Sequence, residues 1–171
     1  MSKLQLNEIL ERLQFGSIFG ESNTYFHKEN NELVDISLEY INQVEEALEE
    51  NKNNSFEALE EVLELHNYSE GEQEEIRLAI DLKVNPENYA ELMTISDDEN
   101  YIMMKEFTNV IVDKKYNEEL AQLLMEKGNY KAFKNTLSIL KLEEKWNDYR
   151  TLALKQRAIF WCLKNGIDFE E

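Results

Sequence analysis

Apolar positions along this chain recur mostly at steps of three and four, the spacing of one face of a helix. Leu6, Ile9, Leu10 and Leu13 mark a short amphipathic helix over 2–15, closed by Gly16. Thr24 to Lys28 and Leu33 to Ile36 are β-prone runs joined by Glu29-Asn30-Asn31-Glu32, and Asn tolerates left-handed backbone angles, so a hairpin is expected. Ser37 then caps a helix to about Leu48, with Leu38, Ile41, Val44 and Leu48 on one face. After the polar stretch 49–54, Phe56, Leu59, Val62 and Leu63 repeat the helical spacing. Ser69-Glu70-Gly71-Glu72 has the form of a capping box and opens a helix to about Lys83, which Asn85-Pro86 stops. Tyr89 to Ile95 reads as a third strand, and Ser96-Asp97-Asp98-Glu99 as a second capping box. Beyond it the pattern predicts only helix, over about 99–111, 116–126, 130–141 and 143–165. No internal repeat of fixed period is visible.

One proline and five glycines in 171 residues fit a helix-dominated chain. The 42% apolar content, with eight Phe, eight Tyr and two Trp, supplies a core, so the acidic charge does not signal disorder. The expected fold is a mainly helical α+β single domain over residues 1–171. It has a helix-and-hairpin part over about 1–95 and a helical part over about 96–171. A hairpin plus one further strand should form a small antiparallel sheet with six to eight helices around it. The C-terminal helices should supply most of the core through Tyr130, Phe133, Leu137, Trp146, Tyr149 and Phe160. The single cysteine, Cys162, allows no internal disulfide and suits a reducing cytosol. MSKLQLNEIL lacks the continuous apolar region of a signal peptide, and no apolar run approaches membrane-spanning length, so a cytoplasmic protein is expected.

Charge divides the chain unevenly. Lys127 to Lys164 holds nine of the eighteen Lys and Arg against three acids, a net of +6, on a chain whose formal charge is −18. Lys127, Lys131, Lys134 and Lys141 fall on one helical stripe, beside an aromatic and aliphatic stripe of Tyr130, Phe133, Leu137 and Leu140. In the next predicted helix Trp146, Tyr149, Ala153, Phe160 and Leu163 make an apolar face flanked by Arg150, Arg157 and Lys164. Bases beside aromatics are what phosphate contacts and base stacking require. The same pattern also arises when aromatics build the core and bases solvate the outside. A Gly128-Asn129 turn between helices has the form of a helix-turn-helix, but the second helix begins Tyr130-Lys131-Ala132-Phe133, which suits packing better than base reading.

Three blocks, taken together, resemble a known family. They are NTYFHKENNELVDIS, then EEIRLAIDLKVNPENYAELMTISDDENYIMMKEF, and finally GNYKAFKNTL with KWNDYR and ALKQRAIFWCLKNGI. In this order, from Asn23 to Ile167, they are similar to the bacterial uncharacterised protein family UPF0158. Family members usually carry Thr-Gly where this chain has Asn30-Asn31, and often two bases where Tyr130-Lys131-Ala132 has one. The resemblance implies no activity, cofactor or catalytic residue.

Other chemistry is sparse in the sequence. Asp97-Asp98-Glu99 is explained by the helix dipole, and no EF-hand loop, Gly-rich phosphate loop, Cys-x-x-Cys or His-Glu-x-x-His occurs. His27 and His66 have no nucleophile motif nearby, and Cys162 sits in an apolar stretch that suits a buried thiol. No metal, cofactor, catalytic residue or membrane contact is expected. The reading that fits best is a non-enzymatic binding or regulatory module for a protein partner. The second is an RNA-associated protein using Lys127, Lys131, Lys134, Lys141, Arg150, Arg157 and Lys164. The third, of another class, is a hydrolase with a carboxylate-lined cleft.

Overall fold

The computed structural model describes residues 3–15, 21–125 and 129–171. Lys127 and the predicted breaks at Gly16 and Gly128 lie outside them. The described chain is a mainly helical α+β fold. Its elements are β1 (Leu4–Gln5), α1 (Leu6–Phe15), β2 (Ser22–His27), β3 (Glu32–Ser37), α2 (Leu38–Glu50), α3 (Ser55–Leu65) and α4 (Glu70–Val84). After a single 3₁₀ turn over Pro86–Asn88 come β4 (Tyr89–Leu92), α5 (Asp97–Val110), α6 (Lys114–Leu123), α7 (Tyr130–Ile139), α8 (Glu143–Asn165) and β5 (Phe169–Glu170).

The local signals act as the residues suggest. Asn31 takes φ +58° at the hairpin turn, and its N–H reaches the His27 carbonyl at 2.8 Å. Ser69 and Ser96 form full capping boxes with Glu72 and Glu99, each satisfying otherwise orphaned N–H groups of a first turn. Ser37 accepts from Glu39 N–H at the start of α2, while its own N–H donates to the Glu75 carboxylate of α4 at 2.6 Å. The cap thereby ties two helices together.

The antiparallel sheet has the order β3-β2-β4, and it is covered on both faces. Successive strand residues point to opposite sides. On one side Tyr25, Ile36 and Tyr89 join Ile41, Val44, Val62, Ile76 and Ala79 of α2, α3 and α4. On the other Phe26, Ala90 and Leu92 join a larger core drawn from α1 and α5 to α8. The first helix of the chain thus packs with the last four, across the sequence-based division at about residue 95. A second, two-stranded parallel sheet, absent from the sequence-based reading, pairs β1 with β5. It brings Leu4 and Gln5 beside Phe169 and Glu170.

The register of α8 differs from expectation. Trp146 is buried and Tyr149 and Ala153 are half-buried, but Phe160 and Leu163 stand 67% and 69% exposed. Leu154, Ala158, Trp161 and Cys162 are buried in their place. At 3.6 residues per turn Cys162 lies about 160° round the helix from Trp146. The buried face therefore rotates along the helix, because its neighbours change. Near its start Trp146 packs on Phe107 of α5 and Phe133 of α7, and near its end Trp161 packs on Phe26 of the sheet. A single straight stripe misses this. Phe56 is likewise 66% exposed, Ala58 taking its place inside α3, where Leu59 and Leu63 are half-buried.

Candidate functional site

The basic end of the chain is a helical pair. Between α7 and α8 the chain reverses at Lys141, whose φ of +57° lets the Leu142 N–H reach the Leu137 carbonyl at 2.8 Å. This closure satisfies the last carbonyls of α7 and drops Leu142 into the core. Phe133 and Leu137 are buried, and Phe133, Phe107 and Trp146 meet edge to face with centroids 5.2–6.4 Å apart. Inward packing of these rings turns Lys131, Lys134 and Asn135 of α7 and Glu143 and Asn147 of α8 outward.

Two adjoining grooves run along that outer side. One, of about 560 Å³, is lined by Lys131, Asn135, Ser138, Glu143 and others; the next, of about 440 Å³, by Gln14, Arg150 and Thr151. Tyr130, Lys134 and Asn147 are common to both, so the two grooves adjoin along these residues and together make the α7–α8 channel. Lys131 and Lys134 are exposed, and the Lys134 ammonium lies 5.6 Å from the centroid of the Tyr130 ring. Arg150 is half-buried, and its Nε is shut from solvent without a hydrogen-bond partner. Among the described residues none of the three cations is paired with a carboxylate, on a chain holding 36 acids.

The predicted binding residues divide into groups. Lys131, Lys134 and Arg150 share the channel. Lys141 is exposed at the left-handed turn beyond the end of α7, so it leaves the helical stripe assigned to it. Arg157 and Lys164 line a separate apolar hollow of about 320 Å³ with Leu13, Leu92, Met93, Phe160 and Trp161. Arg157 is also neutralised there, paired with Glu99 of the α5 capping box. The basic end is therefore two places with different chemistry.

Elsewhere, a hollow of about 620 Å³ is lined by Phe107, Val110, Val112, Tyr116 and Tyr149, with Lys145 and Asp113 also on its lining. Asp113 is the one carboxylate on this hollow's lining, and Glu143 the one on the channel's. No group of three His, Cys, Asp or Glu able to hold a metal ion occurs among the described residues. His27 is buried against the Tyr89 ring, 4.7 Å between centroids, with Nε2 3.6 Å from Asp81. The Asp81 carboxylate also accepts from the Tyr89 hydroxyl at 2.6 Å and from Asn85 at 2.7 Å, which holds its pKa below the usual range. This cluster joins β2, β4 and α4 and borders none of these hollows. Cys162 is buried, and burial pushes its thiol up to about 11, so it stays protonated at neutral pH.

The family model of the uncharacterised protein family UPF0158 matches residues 30–171, which is most of the chain. The chain belongs to this family. The UPF0158 match takes in both helices of the channel and Asn30-Asn31 of the hairpin turn, leaving β1, α1 and the whole of β2 outside. No curated protein and no solved structure matches the chain. No helix among the described residues is long and apolar enough to cross a membrane.

Several channel residues were not anticipated: Asn135, Ser138, Asn147, Thr151 and Gln14. A signal existed for the first three. Asn135 follows Lys131 by four residues and Ser138 follows Lys134 by four, while Asn147 precedes Arg150 by three, all helical neighbours of the bases. Gln14 carries no such signal, because only the packing of α1 on α8 brings it there.

Proposed function

We propose that this UPF0158 member is a non-enzymatic binding module of the cytoplasm, and that its α7–α8 channel receives an acidic segment of a protein partner. The observation that carries this reading is the channel of Lys131, Lys134 and Arg150, unpaired among the described residues of an acidic chain. Charge complementarity favours an anionic ligand, while the chain's net charge of −18 repels long polyanions at a distance. Amides and hydroxyls of Asn135, Asn147, Ser138 and Thr151 suit the N–H and C=O groups of a peptide. A nucleic acid would also seek free aromatic faces. Trp146 is buried, and the Tyr130 ring has Lys134 as its neighbour, so the channel offers little for base stacking.

The test is titration of the full chain with a fluorescent poly-glutamate peptide, a neutral peptide of equal length and single-stranded RNA, at two salt concentrations. The acidic peptide is expected to bind with a salt dependence that charge reversal at Lys131, Lys134 and Arg150 abolishes. Absence of acidic-peptide binding at low salt sinks the reading. Tighter RNA binding through the same residues replaces it with the RNA reading.

A further inference from the structure

The channel has more specific chemistry than a general attraction for acids. Resting on the reading above, we infer that the α7–α8 channel holds a phosphorylated side chain of a protein segment, with Arg150 as the fork and Lys131 and Lys134 as flanking charges.

The first ground is charge. Lys131, Lys134 and Arg150 stand against Glu143 alone among the channel's charged residues, a net of +2 across the two adjoining grooves. One carboxylate brings a single negative charge, whereas a phosphomonoester brings about −1.5 to −2 at neutral pH on three acceptor oxygens. Here Lys134 belongs to both grooves, with Lys131 beside it in one and Arg150 in the other.

The second ground is the state of Arg150. Its Nε is enclosed and unpartnered, and among the described residues the guanidinium makes no hydrogen bond or ion pair. The side chain is half-buried, and its terminal N–H groups are uncommitted among the described residues. A planar fork partly enclosed in this way suits two phosphate oxygens bidentately, and little side-chain freedom is lost on binding. A lysine at the same position would offer a point charge without the fork. Neutral donors from Asn135, Ser138, Asn147 and Thr151 lie along the same walls for the remaining oxygen and for the peptide backbone. The channel thus has donors of both kinds that a phosphopeptide needs.

The third ground separates a phosphopeptide from a nucleotide carrying the same phosphate. A nucleotide needs a face on which its base can stack. Tyr130 is the one half-buried ring on the channel walls, and Lys134 occupies its vicinity, while Trp146 is 2% exposed. Recognition beyond the phosphate therefore falls to amides and hydroxyls, which suit a peptide.

The experiment compares short peptide libraries that differ only at a fixed central residue, phosphoserine, glutamate or serine, binding to the full chain by fluorescence anisotropy. Inorganic phosphate and AMP serve as competitors. Phosphoserine is expected to bind at least about tenfold tighter than glutamate, with serine weaker than both. Arg150→Lys should erase most of that preference while retaining the binding of glutamate peptides. The exposed variant Lys131→Gln should weaken both and leave the circular dichroism spectrum unchanged. Equal affinity for phosphoserine and glutamate overturns the phosphate inference and leaves the acidic-segment reading standing. Failure of both libraries overturns both. Displacement by AMP at concentrations where inorganic phosphate is ineffective overturns the peptide assignment in favour of a nucleotide.

Discussion

The indole N–H of Trp161 donates a 2.8 Å hydrogen bond to the backbone carbonyl of Glu91, joining α8 to the strand β4. The same ring meets Phe26 edge to face, with centroids 6.4 Å apart. One residue therefore anchors the longest helix to the sheet through both a polar and an apolar contact.

Trp161→Phe keeps a ring and removes the donor, leaving the Glu91 carbonyl short of a partner. The expected loss is about 1–2 kcal/mol in urea unfolding, the cost of one buried hydrogen bond. Its neighbour gives the control. Phe160→Ala should stay within about 0.5 kcal/mol because Phe160 is 67% exposed. Phe133→Ala, by contrast, should cost about 3–5 kcal/mol, since Phe133 is fully enclosed. A Phe160→Ala loss as large as that of Phe133→Ala would contradict the rotated face of α8.

Two helix ends offer a matched test of backbone strain. Lys141 and Gly166 both take left-handed angles, φ +57° and +65°, to close α7 and α8. A lysine in that region carries a penalty of roughly 1–2 kcal/mol that glycine escapes. Lys141→Gly should therefore raise stability by up to about 1 kcal/mol, part of the gain being offset by the freer unfolded chain. Gly166→Ala should lower it by about 1 kcal/mol, and from backbone angle alone, because an added Cβ there meets nothing within 4 Å. Thermal melts of the two variants should move in opposite directions. Because Lys141 lies outside the channel lining, Lys141→Gly should also leave binding of acidic peptides nearly intact.

Stability should fall off at both ends of the pH scale for identifiable reasons. The hydrogen bond from Tyr89, with help from Asn85 and His27, holds the Asp81 carboxyl below its ordinary value in spite of its partial desolvation. A group depressed in the folded state stabilises above its unfolded pKa, about 3.9, and that share is lost as pH falls through the folded value. The tyrosines act with the opposite sense. Burial, then the neighbouring Asp81, raises Tyr89, and burial, then Glu72, pushes Tyr40 up to about 12. Their share is complete below about pH 10 and is lost as pH rises through the folded values. Urea midpoints measured across pH should show Asp81→Asn with a shallower acid limb and Tyr89→Phe with a shallower alkaline limb. An unaltered acid limb in Asp81→Asn would remove this account.

The sequence by itself determined the features whose causes lie within a few residues. Asn31 needs only its own tolerance of a positive φ to turn the hairpin, and Ser69 with Glu72, or Ser96 with Glu99, close their capping boxes within one helical turn. Helical spacing likewise placed α2 and α4 to α8 to within a few residues. The rest depended on partners distant in the chain. Which side of α8 is buried changes along its length because α5 and α7 cover its start while α1 and the sheet cover its end, and periodicity within one helix carries no record of that exchange. The short β1–β5 pair joins residues more than 160 apart and has no local pattern. The basic segment was legible as charge, and tertiary packing separated it. Inward turning of Phe133, Leu137 and Trp146 left Lys131, Lys134 and Arg150 together and unpaired among the described residues, while Glu99 reached Arg157 from another helix. Charge is a property of residues, but whether it is free to act depends on what the fold sets beside it.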